Sequence, residues 1–229
     1  MKIDKNTVSI AQIYYRTFWF YYDHLGTLIL INFIAFLSCL TVFAWSVGFT
    51  LLLIAVDLTS QNSSLDVHSF FRLARQHLAW SLGYGLFVLF INLLLFANIY
   101  FYLQLSQFSI FFTLLTGLFV WFLFFVFLIT LWIFPLKIFY GKSFQQNLKI
   151  VLFLIFDNLA SSLLVGLSCL LILIVGIATA IGIVFLGLGI IAVLITITLQ
   201  MQLRRYDLIS GRDEEEKRSW HDLIRPWEF

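Results

Sequence analysis

The chain has 229 residues, of which 62% are hydrophobic and 11% charged, and its net charge is +2. An ordinary soluble domain is about half apolar and about a quarter charged, so this composition excludes a soluble globular fold. The small net charge also argues against a nucleic-acid-binding face. Apolar runs that exceed the ~20 residues of a spanning helix predict an all-α membrane protein. A β-barrel would instead need short segments of alternating polarity.

Residues 1–24 form a first arm. Lys2, Lys5 and Arg16 are basic, and Ile10, Ile13, Tyr14, Phe18 and Tyr21 recur near helical spacing. Such a helix lies in the membrane interface, anchored by its Tyr and Trp residues. Its first apolar run starts too far in for a cleavable signal peptide. Residues 26–40 and 42–56 then predict two short spans around a polar break at Ser38-Cys39 and Thr41. One overlong tilted helix over 26–56 is the competing reading, and charge decides between them below. A second arm over 57–77 has loop composition at Ser60-Gln61-Asn62-Ser63-Ser64 and a capping residue at Ser64 or Asp66. Spans are predicted at 78–102 and 110–134, with Pro135 at the end of the latter able to kink it. A third arm covers 143–157, and the last two spans cover 158–176 and 182–200. Gly176, Ala178, Ala180 and Gly182 between them permit close helix approach.

The arms recur. His77-Leu78-Ala79-Trp80-Ser81-Leu82-Gly83-Tyr84-Gly85-Leu86 returns 81 positions later as Asn158-Leu159-Ala160-Ser161-Ser162-Leu163-Leu164-Val165-Gly166-Leu167, identical at six of ten positions. A fainter copy is Asp23-His24-Leu25-Gly26-Thr27-Leu28. The chain therefore reads as three units, each an arm followed by a helical hairpin. Every Lys and Arg falls in an arm, at a span's inner end or in the tail, and the turns near 41, 105 and 179 carry no charge. Basic residues stay cytoplasmic. Six spans with both termini cytoplasmic satisfy that rule, whereas a single span over 26–56 would push Arg72 and Arg75 outside. The expected architecture is six transmembrane helices as three hairpins in a cell-membrane, multi-pass domain over 1–203, with a cytoplasmic tail over 204–229.

Candidate chemistry is sparse. No ionisable group lies near a span centre, where pumps and proton relays carry theirs. Asp57 and Asp157 stand at inner boundaries, and His24, His68, His77 and His221 show no metal-ligand spacing. Cys39 and Cys169 form no CxxC. A P-loop, GxGxxG and GxSxG are absent, so no enzyme, cofactor or metal is expected. Polar span residues, among them Asn32, Asn92, Asn98, Ser162 and Thr198, read first as interhelical hydrogen bonders. They would serve a neutral solute only by converging on one cavity.

The tail carries the sharpest feature. Asp213-Glu214-Glu215-Glu216 suits a helix N-terminus. Trp220, Leu223, Ile224 and Trp227 then make one apolar stripe of a short amphipathic helix, closed by Pro226. These four are candidate partner-docking residues, with Arg72, Arg75 and Lys149 as candidates on the cytoplasmic arms.

Phe70-Phe71-Arg72-Leu73-Ala74-Arg75-Gln76 ahead of LxxSLxxGL resembles the YesL-like family (domain of unknown function 624). Trp132-Ile133-Phe134-Pro135-Leu136, Phe144-Gln145-Gln146-Asn147-Leu148 and Asp157-Asn158 are similar to that family's central segment. Ser38-Cys39-Leu40-Thr41 departs from it, since the family usually has proline where Leu40 stands. The resemblance implies a bacterial membrane protein in a setting of carbohydrate uptake and assigns no activity. The expected function is a non-enzymatic accessory or scaffold subunit. It would bind lipid and another membrane complex through its arms and tail, without nucleic acid. A channel or facilitator for a small neutral solute is the alternative.

Overall fold

A computed structural model of the chain describes residues 10–40, 44–61, 67–141, 143–179 and 186–205. All regular structure among them is helical: α1 (Ile10–Asp23), α2 (Leu25–Leu40), α3 (Trp45–Gln61), α4 (Val67–Leu105), α5 (Ile110–Tyr140), α6 (Phe144–Asp157), α7 (Leu159–Thr179) and α8 (Leu188–Arg205). Helices α4, α5 and α7 are long and apolar enough to cross a membrane. The pair α1–α2 counts as a fourth crossing if taken as one bent span, and α3 and α8 are shorter apolar helices.

Packing follows the three units. Helices α3, α5 and α8, the second of each hairpin, contact one another pairwise and form the centre. Each first helix lies between its own partner and the returning helix of another unit: α2 against α3 and α8, α4 against α5 and α3, α7 against α8 and α5. The arms obey the same rule, α1 lying on α8 and α6 on α5. The result is a pseudo-threefold arrangement. Enclosure explains why α3 and α8 are apolar all round: residues 52–56 of α3 and 191–196 of α8 are buried without interruption. Long outer faces instead stay apolar and uncovered, as at Phe90 (60% exposed) and Leu114 (68% exposed), the signature of a lipid-facing surface.

The repeat motif sets the register of this packing. In every copy the fifth, eighth and ninth positions are buried: Leu28, Ile31 and Asn32; Ser81, Tyr84 and Gly85; Ser162, Val165 and Gly166. The second, third, seventh and tenth are exposed in all three. Small residues at these buried positions let backbones meet. A Cβ on Gly85 would collide with Ser46 of α3, and one on Gly166 with the end of Leu128 of α5. In the first hairpin, Gly48 supplies the same relief, since a Cβ there would stand 2.6 Å from the Ala35 carbonyl oxygen.

The copies differ at the arm. Helices α1 and α2 meet at a 92° bend at His24, and α6 stops at Asn158, whose N–H donates to Leu154 O (3.1 Å) while its own carbonyl receives Ser162 N–H (2.9 Å). Helix α4 instead runs straight through His77. Asp23 and Asp157 precede the two breaks, and Asn158 is a favoured N-cap; Gln76, a good helix former, holds the equivalent place in α4. Two predicted boundaries also move. Ser60 and Gln61, expected in a loop, extend α3, and α5 continues through Pro135 to Tyr140. Gly141, in the left-handed conformation (φ 61°), ends α5 by donating its N–H to Lys137 O. The predicted caps at Ser64 and Asp66 lie outside the described residues, as do Ala180 and Gly182.

Replacing Gly48 by alanine is expected to destabilise the protein by about 1–3 kcal/mol through overpacking. Gly83→Ala, where nothing lies within 4 Å, should be neutral or stabilising by up to about 1 kcal/mol. Thermal unfolding of the purified variants in one detergent checks the pair.

Candidate functional site

Unequal helix lengths open a cavity. Helix α5 has 31 residues and α4 has 39, while α3 has 17 and α8 has 18. At 1.5 Å per residue α5 outreaches α3 and α8 by roughly 20 Å. Above the first turns of α3 and α8, a space of about 610 Å³ remains between α4, α5 and α7. Trp45 and Phe49 of α3 and Leu188 and Ile191 of α8 line one end, and Val88, Phe96, Phe124 and Leu170 are among its walls. Among the described lining residues none is charged, and only Asn92 and Thr130 carry an amide or hydroxyl. Thr130 donates to Val126 O (2.8 Å) and bonds the Tyr84 side chain. Asn92 is half-buried and makes no hydrogen bond to any described residue. Asn98, on the same helix, donates instead to Leu94 O at 2.7 Å.

An aromatic plug closes the end of the cavity at Trp45 and Phe49. Phe134, fully buried, has ring centroids around it at 5.9 Å (Trp45), 5.6 Å (Phe49), 5.4 Å (Trp80) and 5.2 Å (Tyr84). All four rings meet Phe134 edge-on, an arrangement favoured by the ring quadrupole. One turn further along α5, the Lys137 ammonium lies 6.0 Å from the Trp80 centroid, at the limit of a cation–π contact. Lys137 is also close enough to act electrostatically on His77, and Asp57 on Tyr140. These groups join α3, α4 and α5 at one end of the bundle.

The candidates drawn from sequence separate. Asn32 is fully buried and its Oδ1 accepts the Gly189 N–H at 2.6 Å, tying α2 to α8. Ser162 is fully buried, and its hydroxyl has no partner among the described residues. Neither lines the cavity that Asn92 faces, so the three do not form one polar path. Thr116, Thr130, Ser168 and Thr198 each donate to the carbonyl four residues back in their own helix. Ser161 and Gln202 pair across α7 and α8 at 3.3 Å. Arg72 and Arg75 are exposed and share a crevice with Val67, His68, Phe71 and Gln76 on the α4 arm. Lys149 is exposed on α6, away from that crevice. Trp220, Leu223, Ile224 and Trp227 lie outside the described residues. Cys169 is a buried free thiol, and no cluster of His, Cys, Asp or Glu among the described residues could hold a metal. The plug and cavity had no distinct signal in the sequence beyond abundant aromatics, because both depend on which helix ends come level.

No family model, curated protein or solved structure matches the chain.

Asn32→Leu should cost about 1–3 kcal/mol by leaving the Gly189 N–H without its partner. Asn98→Leu, which removes only an exposed bond within one helix, should cost under about 1 kcal/mol. Unfolding in a graded detergent series distinguishes the two.

Proposed function

We propose that the protein is a six-span membrane protein, three hairpins with both termini cytoplasmic, acting as a non-enzymatic accessory or scaffold subunit. The observation that carries this reading is that the polar span residues do not converge on one path. The described cavity lining is apolar but for Asn92 and Thr130, the Phe134 plug blocks its end at Trp45 and Phe49, Thr116 and the Ser161–Gln202 pair bond within or between helices, and Asn92 and the partnerless Ser162 do not share a cavity. A facilitator for a neutral solute needs a continuous polar path instead. The exposed Arg72, Arg75 and Lys149 would mark the cytoplasmic face, and the tail over 204–229 would dock a partner through Trp220, Leu223, Ile224 and Trp227. The YesL-like resemblance supports a partner among carbohydrate uptake systems.

Orientation is tested by single cysteines in a cysteine-free background. Gln107→Cys in the α4–α5 turn should react with an impermeant maleimide on intact cells, and Gln145→Cys on α6 only after permeabilisation. Reversed labelling would overturn the topology. For the function, purification in mild detergent with and without residues 210–229 should yield a stoichiometric membrane partner that the truncation loses. A partner-free protein in both cases, or sugar flux in liposomes, would overturn the scaffold reading.

A further inference from the structure

The cavity between α4, α5 and α7 is more than a packing defect. Its 610 Å³ falls within the about 300–1,000 Å³ of ligand pockets, which are mostly apolar with a few orienting polar groups. Its walls come from the middle of the three helices long enough to cross a membrane. Faces beside it at Phe90, Leu93, Leu118 and Phe122 are exposed and apolar. At that depth the solvent is hydrocarbon, and an unsatisfied amide there costs several kcal/mol. Asn92 places such an amide at the cavity wall without a protein partner, although the carbonyl four residues back was available to it, as it is to Asn98.

We propose that this cavity binds one molecule of an uncharged membrane lipid. Its hydrocarbon part fills the space between the aromatic and aliphatic walls, and a carbonyl or hydroxyl group bonds Asn92. None of the described lining residues is charged, which disfavours an ionised headgroup in the site, because none of them would balance it. The Phe134 plug limits entry to the side facing the bilayer. Asn92 acts as a binding residue, whereas Thr130, already bonded within the protein, shapes the wall.

This inference rests on α4, α5 and α7 crossing the bilayer. The full-length protein in phosphatidylcholine vesicles would be exposed to one of two probes carrying a diazirine on an acyl chain, a diacylglycerol or a phosphatidylcholine. Adducts would be mapped by mass spectrometry after irradiation. The diacylglycerol probe should label cavity residues such as Leu89 and Leu123, and excess unlabelled diacylglycerol should compete it away. The phosphatidylcholine probe should label only the outer residues, such as Phe90 and Leu118. Asn92→Leu should cut cavity labelling about tenfold, the effect of losing one buried hydrogen bond. Asn98→Leu should leave it unchanged. Leu170→Trp, which fills the space, should abolish it in a protein that still elutes as one species. Equal labelling of the cavity by both probes, or labelling of neither kind there, would overturn the proposal. Failure of the phosphatidylcholine probe to label even Phe90 and Leu118 would overturn the membrane-spanning reading itself.

Discussion

Close approach of helix backbones is the constraint on which the structure depends. Between apolar helices in lipid there is no hydrophobic drive, so association relies on van der Waals contact and a few hydrogen bonds. The repeat supplies that contact at Ser81 and Gly85 against α3, and at Ser162 and Gly166 beside α5. Thr50 and Ser81 add a buried hydroxyl pair at 2.9 Å. The first unit reaches the same end differently: its ninth position is Asn32, which bonds the Gly189 backbone instead of merely making room. One register is thus held by three local chemistries, which is why the first copy is faint in sequence yet matches the second in burial phase.

Much of this was legible beforehand, and the reason is physical. The crossing-length helices α4, α5 and α7 fall where hydropathy puts them, and the repeat spaced by 81 residues keeps Ser and Gly buried at the same positions in both copies. The turn at 106–109 and the third arm ending at Asp157 fall where composition puts them. In α4 the charged, amphipathic arm passes into the apolar span without a break, whereas the copies at Asp23 and Asp157 introduce one. The cavity was invisible in the sequence. It arises from the mismatch between α5 and its shorter neighbours, a property of relative helix height that no local pattern carries. Asn92 was recognisable as polar, but not as the one that faces a void instead of its own helix.

The same mismatch divides the molecule by depth. Below the level of Trp45 and Leu188 all three returning helices are present, and the interior is packed around Phe134. Above it α5 extends beyond the helical lengths of α3 and α8, and the cavity lies there between α4, α5 and α7. Charge obeys this division too. Asp57, His77 and Lys137 lie toward the packed end, and the cavity has none. A solute crossing the protein would have to displace the aromatic rings that each contact Phe134. A molecule entering sideways above them displaces only lipid. Arg72, Arg75 and Lys149 stay exposed on α4 and α6, clear of the cavity.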